Sequence, residues 1–176
     1  KMLDSEARQH ESIDRVIGMF PGADVFAFEE FNKEKAKNYD LVAVIGGDNM
    51  FQMVAHHIED TPILGINSDS ITSDGVLLSF DPEIAQMHIK SILAGKFGYE
   101  EWARAEADIN GKPVDDARGL FALYNTEGDM MTRYKLKLNG SEEVQKSTGI
   151  IVATGAGSTG WHKSAGVYLP MLNSGI

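Results

Sequence analysis

Asp48 is the residue best placed to do chemistry. It is a single carboxylate directly behind two glycines, Gly46 and Gly47, at the end of the apolar run Leu41-Val42-Ala43-Val44-Ile45. A carboxylate there can accept the proton of a hydroxyl that attacks a phosphoryl group. The glycine N–H groups can meanwhile line phosphate oxygens at a helix N-terminus. The plainer reading is a tight strand-to-helix turn with Asp48 as its cap, and local sequence leaves the two level. A second glycine-rich stretch, Thr154-Gly155-Ala156-Gly157-Ser158-Thr159-Gly160-Trp161, follows the apolar segment Ile150-Ile151-Val152-Ala153. The strand before it and the aromatic after it favour a fixed ligand loop over a flexible surface turn. Two such loops in one chain point to a phosphate- or nucleotide-handling site. Neither is a Walker A sequence or a Gly-x-Gly-x-x-Gly fingerprint.

The elements that must position these loops fall into two groups. Asp4 to Phe20 carries Ile13, Val16, Ile17 and Phe20 at helical spacing and reads as an amphipathic helix ended by Pro21-Gly22. Ala23 to Phe28 reads as a short strand and Glu29 to Asn38 as a charged connection on a solvated face. Leu41–Ile45, unbroken and β-branched, reads as a strand buried on both faces. A helix over about Asn49 to Ile58 and a strand Ile63-Leu64-Gly65-Ile66 complete a strand–helix–strand rhythm, which predicts a parallel α/β sheet. Asp81-Pro82 starts a helix that Gly95 closes, with Ile84, Met87 and Ile92/Leu93 as its expected apolar face. Beyond it, the short segments Glu101–Asn110, Gly119–Thr126, Met131–Leu138 and Lys146–Ala153 are separated by turn signals that include Asn139-Gly140. They predict a largely antiparallel region. The boundary falls near Lys96–Tyr99, giving domains 1–97 and 98–176. Ser158 to Val167 reads as a loop running into a short helix.

Composition narrows the function classes. The 176 residues carry a net charge of −10, with 43% hydrophobic and 24% charged residues, ordinary for a soluble globular protein. The acidic balance argues against a nucleic-acid binder, which needs a basic face. A small phosphorylated ligand is still admissible, because backbone N–H groups and a metal ion can hold it. An acidic protein handling ATP would rely on Mg²⁺ for charge cancellation. No apolar run approaches the ~18–20 residues that span a bilayer. The first residues do not resemble a signal peptide, and there is no cysteine for a disulfide or thiolate site. These features are compatible with a cytoplasmic, non-membrane protein.

In order along the chain, Gly46-Gly47-Asp48, Gly65-Ile66-Asn67, Thr148-Gly149 and Thr154-x-x-x-Ser158-Thr159 resemble the NAD kinases over nearly the whole sequence. Asn67-Ser68-Asp69 leading to Gly75, Gln145-Lys146-Ser147, and Trp161 look closest to the branch that includes the mitochondrial-type enzymes. The resemblance implies a Rossmann-like α/β N-terminal domain and a β-rich, NAD-binding C-terminal domain that is incomplete at its C-terminal end, since family members are longer at both ends. It implies ATP-dependent phosphorylation of the adenosine 2′-hydroxyl of NAD to give NADP. Asp48 then falls on the catalytic aspartate, and Gly46, Gly47, Asn49 and Asn67 on the nucleotide-binding side. Asn125 is the best match to the asparagine of the family's Asn-Glu contact, and Thr159, Gly160, Trp161 and Ser164 match the segment lining the NAD site. Asp48 and Thr159–Ser164 are expected to face each other between the domains. ATP as donor, Mg²⁺, NAD as substrate and a homodimer or homotetramer follow from the same resemblance, with inorganic polyphosphate as another family donor.

The sequence departs from the family pattern at defined places. Asn49-Met50 stands where Gly-Thr is usual, Thr126 separates Asn125 from Glu127, and tryptophan holds a position often occupied by tyrosine. Asparagine tolerates positive φ, so the turn is expected to survive. Methionine lacks the hydroxyl that would contact phosphate or metal. A flat indole can still stack on a ring. Two alternatives remain open: a lipid kinase of the diacylglycerol or sphingosine type, which shares Gly-Gly-Asp, and a non-catalytic dinucleotide-binding module. His56-His57 favours a structural role, since neighbouring helical positions diverge and no third metal ligand is evident. His162 and Lys163 lie near the second loop, with a substrate contact the less common reading for both. Met50 and Met53 read as helix packing and Trp102 as core or interface.

Overall fold

The structure, a computed structural model, describes residues 2–114, 119–127 and 130–166. It divides into two compact units, Lys1–Glu100 and Glu101–Ile176.

In the first unit, helix α1 (Met2–Met19) is ended by Gly22 at φ +82°. The Ala23–Phe28 segment is not a strand. It runs without regular structure into a 3₁₀ turn, Phe28–Glu30, and a one-turn helix α2 (Lys33–Ala36). Its apolar residues serve a local aromatic cluster instead of a ladder. The Phe26 ring packs on Phe31 and Tyr39 with Lys35 above it, while Val25 stays exposed. Strand β1 (Val42–Gly46) leads into helix α3 (Asp48–Ala55), and β2 (Ile63–Asn67) pairs with β1 in parallel, Val42 opposite Ile63 through Gly46 opposite Asn67. Phe80 adds a parallel bridge to Ile66. Burial on both faces is not realised along β1: Val44 alone is fully buried and the rest are half-buried.

Helix α4 (Pro82–Leu93) starts as the residues predict, with the Asp81 carboxylate accepting from Ile84 N at 2.8 Å, and ends before Gly95 at φ +65°. Its buried face is the expected one only at Ile92. Ala85 and Ile92 are buried and Ile89 packs on the core, while Ile84, Met87 and Leu93 are exposed. Residues 85, 89 and 92 form one helical stripe of their own, and the small Ala85 lets α4 approach α1 closely. The core joins Val16 and Met19 of α1, Ile66 of β2 and Ala85, flanked by Phe20, Ile45, Leu64, Phe80 and Ile89.

The second unit is antiparallel. Two-residue strands β3 (Asp108–Ile109) and β4 (Lys112–Pro113) form a minimal hairpin, so most of Glu101–Asn110 is irregular where a longer strand was expected. Strand β5 (Leu120–Tyr124) pairs with β8 (Gly149–Ala153), and β6 (Thr132–Leu138) pairs with β7 (Ser141–Ser147). The β6–β7 turn is the Asn139-Gly140 pair at φ +49° and +81°, the left-handed conformation such hairpins demand. A 3₁₀ turn, Ala156–Thr159, and the one-turn helix α5 (Trp161–Ser164) follow β8. The fold is mixed α/β.

Candidate active site

Asp48 sits at the first position of α3, just past the carboxyl end of β1. In parallel α/β sheets that is where ligands bind. Its carboxylate is half-buried and gripped from across the loop after β2: Oδ2 accepts from Val76 N at 3.1 Å and Oδ1 from Leu77 N at 3.0 Å. Each oxygen keeps a lone pair beyond those contacts, so the group is oriented without being used up. The helix is capped by Gly47, not by the Asp48 side chain.

The two glycines act differently from expectation. Gly47 lies at φ −105° and ψ −179°, extended backbone open to any residue, and a Cβ there would come no nearer than 4.0 Å to Ser73 Oγ. Gly46 is needed for space, because a Cβ would stand 2.9 Å from Met50 Cβ. Met50 is thus helix packing, and Asn49 is an exposed helical residue for which no positive φ arises. The turn is made by the strand end and the helix start.

The loop opposite, residues 67–78, is organised by buried polar groups. Asn67 accepts from Asp69 N at 3.1 Å and donates to Ser73 O at 2.9 Å, which occupies both ends of its amide. Asp69, 5% exposed, takes a two-pronged contact from Arg8 of α1, Nε to Oδ1 and Nη2 to Oδ2, both 2.9 Å. Ser5 and Thr72 hydroxyls each donate to it at 2.6 Å, and Ile71 N at 3.3 Å. The guanidinium and the two hydroxyls hold this carboxyl far below the usual carboxylate range. Gly75, at φ +58°, leaves room that a Cβ would take from Asn67 Nδ2, at 2.5 Å. Sequence reading noted Asn67-Ser68-Asp69 as a segment but missed Arg8 and Ser5. Their partner lies more than sixty residues away, and nothing local marks them.

In the second unit one expected residue meets an aromatic partner. Trp161, at the start of α5, meets Tyr124, at the end of β5, with ring centroids 6.0 Å apart and nearly edge-on. Asn125 follows Tyr124, its Oδ1 accepting from Glu127 N at 3.0 Å and its Nδ2 directed at Thr132 Oγ1 at 3.4 Å. Thr159 Oγ1 donates to Ala156 O at 3.2 Å, and Ser164 Oγ to Gly160 O at 3.3 Å. Gly160, Trp161 and Ser164 are exposed. The loop beneath them is fixed by buried hydroxyls and by contact with Gly119. Thr154 and Ser158, each 1% exposed, bond to Gly119 O and Gly155 O. Gly157 packs on Gly119 so tightly that a Cβ would fall 1.9 Å from the Gly119 oxygen. Gly119 is a further residue whose role sequence reading passed over, since its partner is far along the chain.

His57 packs between the Phe28 and Phe31 rings, in keeping with a structural histidine. His162 Nδ1 is buried with no hydrogen-bond partner, and Lys163 is exposed. No group of three or more His, Asp or Glu able to cage a metal occurs among the described residues. No helix among them is long and apolar enough to cross a membrane. A cleft of about 190 Å³ lies beside the Asp69 network, lined by Arg8, Glu11, Ser12, Arg15, Ser68 and Glu83 among others. Its guanidiniums are already paired, Arg8 with Asp69 and Arg15 with Glu83.

No family model matches the chain. It is similar to the NAD kinase of Marinomonas sp., 32% identical over 170 residues, covering 92% of this chain and 56% of that protein. It is similar to the NAD kinase of Thermococcus kodakarensis, 29% identical over 160 residues and covering 89% and 54%. A crystal structure of an NAD kinase from Archaeoglobus fulgidus in complex with ATP superposes with a TM-score of 0.68 at 26% identity, covering 94% of this chain and 63% of that one. The chain spans about half the length of the curated relatives it matches. Across nearly all of its own length, then, it is similar in sequence and in fold to about half of an NAD kinase.

Proposed function

We propose that this chain provides the catalytic aspartate and part of the nucleotide-binding surface of an NAD kinase. The observation that carries the reading is Asp48: a carboxylate at the carboxyl end of a parallel strand, aimed by two backbone amides, in a sequence similar to NAD kinases on both sides of it. In the proposed reaction Asp48 accepts the proton of the adenosine 2′-hydroxyl of NAD. The freed oxygen attacks the γ-phosphorus of ATP, a P–O bond forms to give NADP, and ADP leaves with the electrons of the broken bond. The Gly47 and Asp48 N–H groups at the start of α3 suit a phosphate oxygen. Mg²⁺ would arrive with ATP as part of the substrate. Such ions keep several waters and lean on phosphate oxygens plus one or two carboxylates.

In the second unit, exposed Trp161 beside Tyr124 offers a flat face for an adenine or nicotinamide ring. Asn125, Thr159, Gly160 and Ser164 are proposed to hydrogen-bond the dinucleotide. Gly46 and Asn67 support the phosphate side, by close packing and by bracing the loop, and exposed Asn49 is left to touch the nucleotide. A homodimer or homotetramer, a cytoplasmic location and membership of the mitochondrial-type branch complete the reading. The last rests on Asn67-Ser68-Asp69, Gln145-Lys146-Ser147 and Trp161 alone.

The test is to incubate the protein with Mg-ATP and NAD and follow NADP, with and without Asp48→Asn. Removing a positioned base is expected to slow turnover by ~10²–10⁴-fold. Unchanged turnover in the variant would sink Asp48. Measurable NAD binding without NADP from the wild type would leave a dinucleotide-binding module instead.

A further inference from the structure

Asp48 does not hold its own position. Its carboxylate is aimed by the amides of Val76 and Leu77, and those amides sit at the far end of a loop whose other end is tied down by Asp69. Between the two ends lie two hydrogen-bonded turns joined through the chain at Asp74. Asp69 accepts from Ile71 N and Thr72 Oγ1 through its side chain and from Ser73 N at 3.1 Å through its carbonyl. Ser73 O accepts from Asn67, and Leu78 N closes on Gly75 O at 3.0 Å around the left-handed Gly75. The loop is tied to α1 by the Arg8 guanidinium, whose fork meets both Asp69 carboxylate oxygens.

We infer that Arg8 and Asp69 are positioning residues for Asp48: their ion pair sets the 67–78 loop, and the loop sets the carboxylate. The role in turnover rests on the proposed kinase reading, whereas the mechanical link does not. Asp69 is 3% exposed and Arg8 31% exposed in their side chains. Removing the guanidinium therefore leaves a buried carboxylate short of its main partner, a situation the loop relieves by opening. Lysine at position 8 keeps the charge but loses the two-pronged fork. Arg15 is an internal control, since it also projects from α1 to a carboxylate, Glu83, yet pairs with α4 and not with the loop.

Two measurements on Arg8→Ala, Arg8→Lys, Asp69→Asn and Arg15→Ala test this. The first is hydrogen exchange at the Val76 and Leu77 amides, read beside the amides of β1 and β2. In Arg8→Ala and Asp69→Asn the two loop amides are expected to lose protection while the strands keep theirs. Arg8→Lys should fall between, and Arg15→Ala should match the wild type. The second is NADP formation: kcat is expected to drop by about ten- to a hundredfold in Arg8→Ala and Asp69→Asn, with the KM for NAD and ATP within about twofold, as for an interaction felt only in the transition state. Wild-type exchange at both amides in Arg8→Ala and Asp69→Asn would overturn the inference, as would an equal loss in Arg15→Ala. Loop opening without a fall in kcat would overturn the role in turnover. If the wild type makes no NADP, the kinase reading fails and the exchange result alone supports or overturns the link. Should Arg8→Ala not fold, Arg8→Lys and Ser5→Ala carry the same comparison at lower cost.

Discussion

The two glycine-marked segments look alike in sequence but are held in different ways. Around Gly46-Gly47-Asp48 the local chain supplies little: Gly47 is in ordinary extended backbone, and the carboxylate is held by donors from a loop that follows the next strand. Around Thr154–Gly160 the local chain supplies part of the order, because Ser158 and Thr159 bond to carbonyls of their own turn, while Thr154 bonds to Gly119, distant in sequence. The Asp48 carboxylate is therefore aimed by contacts distant in sequence, whereas the second loop combines short-range side-chain-to-backbone bonds, a known habit of Ser and Thr, with a long-range tie to Gly119. The glycines reflect this. Gly157 is demanded by contact with another backbone, Gly46 by the Cβ of Met50, and Gly47 by neither.

Substitutions can break or sharpen that contrast. The largest effect is expected from Gly157→Ala, where the new methyl would collide with the Gly119 carbonyl; a loss of ~3 kcal/mol or more should appear in chemical denaturation. Gly46→Ala sets a methyl 2.9 Å from Met50 Cβ, an atom fixed by its own backbone, so the start of α3 must give slightly; about 1–3 kcal/mol is expected by the same measurement.

Acid should separate the two regions as well. The Asp69 carboxyl titrates lower in the folded protein than in the unfolded chain, so its contribution is whole above the ordinary carboxylate range of about 4 and fades as pH falls below it. The thermal midpoint of the wild type should consequently fall on acidification below that range. The fall should be shallower in Asp69→Asn, and parallel slopes for the two proteins would count against the network. The smallest effect belongs to Gly47→Ala. It should cost only about 0.5 kcal/mol, the difference between glycine and alanine at a helix cap, and a larger loss of stability would mean that Gly47 has a role beyond the turn.

How much was legible follows from the same distinction. The α1 and α4 helices, the β1–β2 pair, the Asn139-Gly140 hairpin and the turn into α5 could be read from periodicity, capping residues and turn chemistry, all of which act within a few positions. The Ala23–Phe28 segment misled, because alternating apolar residues serve an aromatic cluster as well as a ladder. The face of α4 misled because Ala85 is buried in preference to larger neighbours, a choice made by the closeness of α1. Sequence marked Asp48 but gave no hint of what aims it. The Arg8–Asp69 pair and the Gly119–Gly157 contact were invisible for the same reason, since their partners are distant in the chain.

By itself, then, the sequence determined the mixed α/β character, the place of Asp48 at a strand end and the resemblance to NAD kinases, because composition, pattern and motif are local properties. Only the tertiary structure decided which glycines are obligatory, which face of α4 is buried and which groups hold Asp48. Each of those depends on atoms that are neighbours in space and strangers in sequence, and close packing and buried hydrogen bonding act on the first kind of neighbour alone.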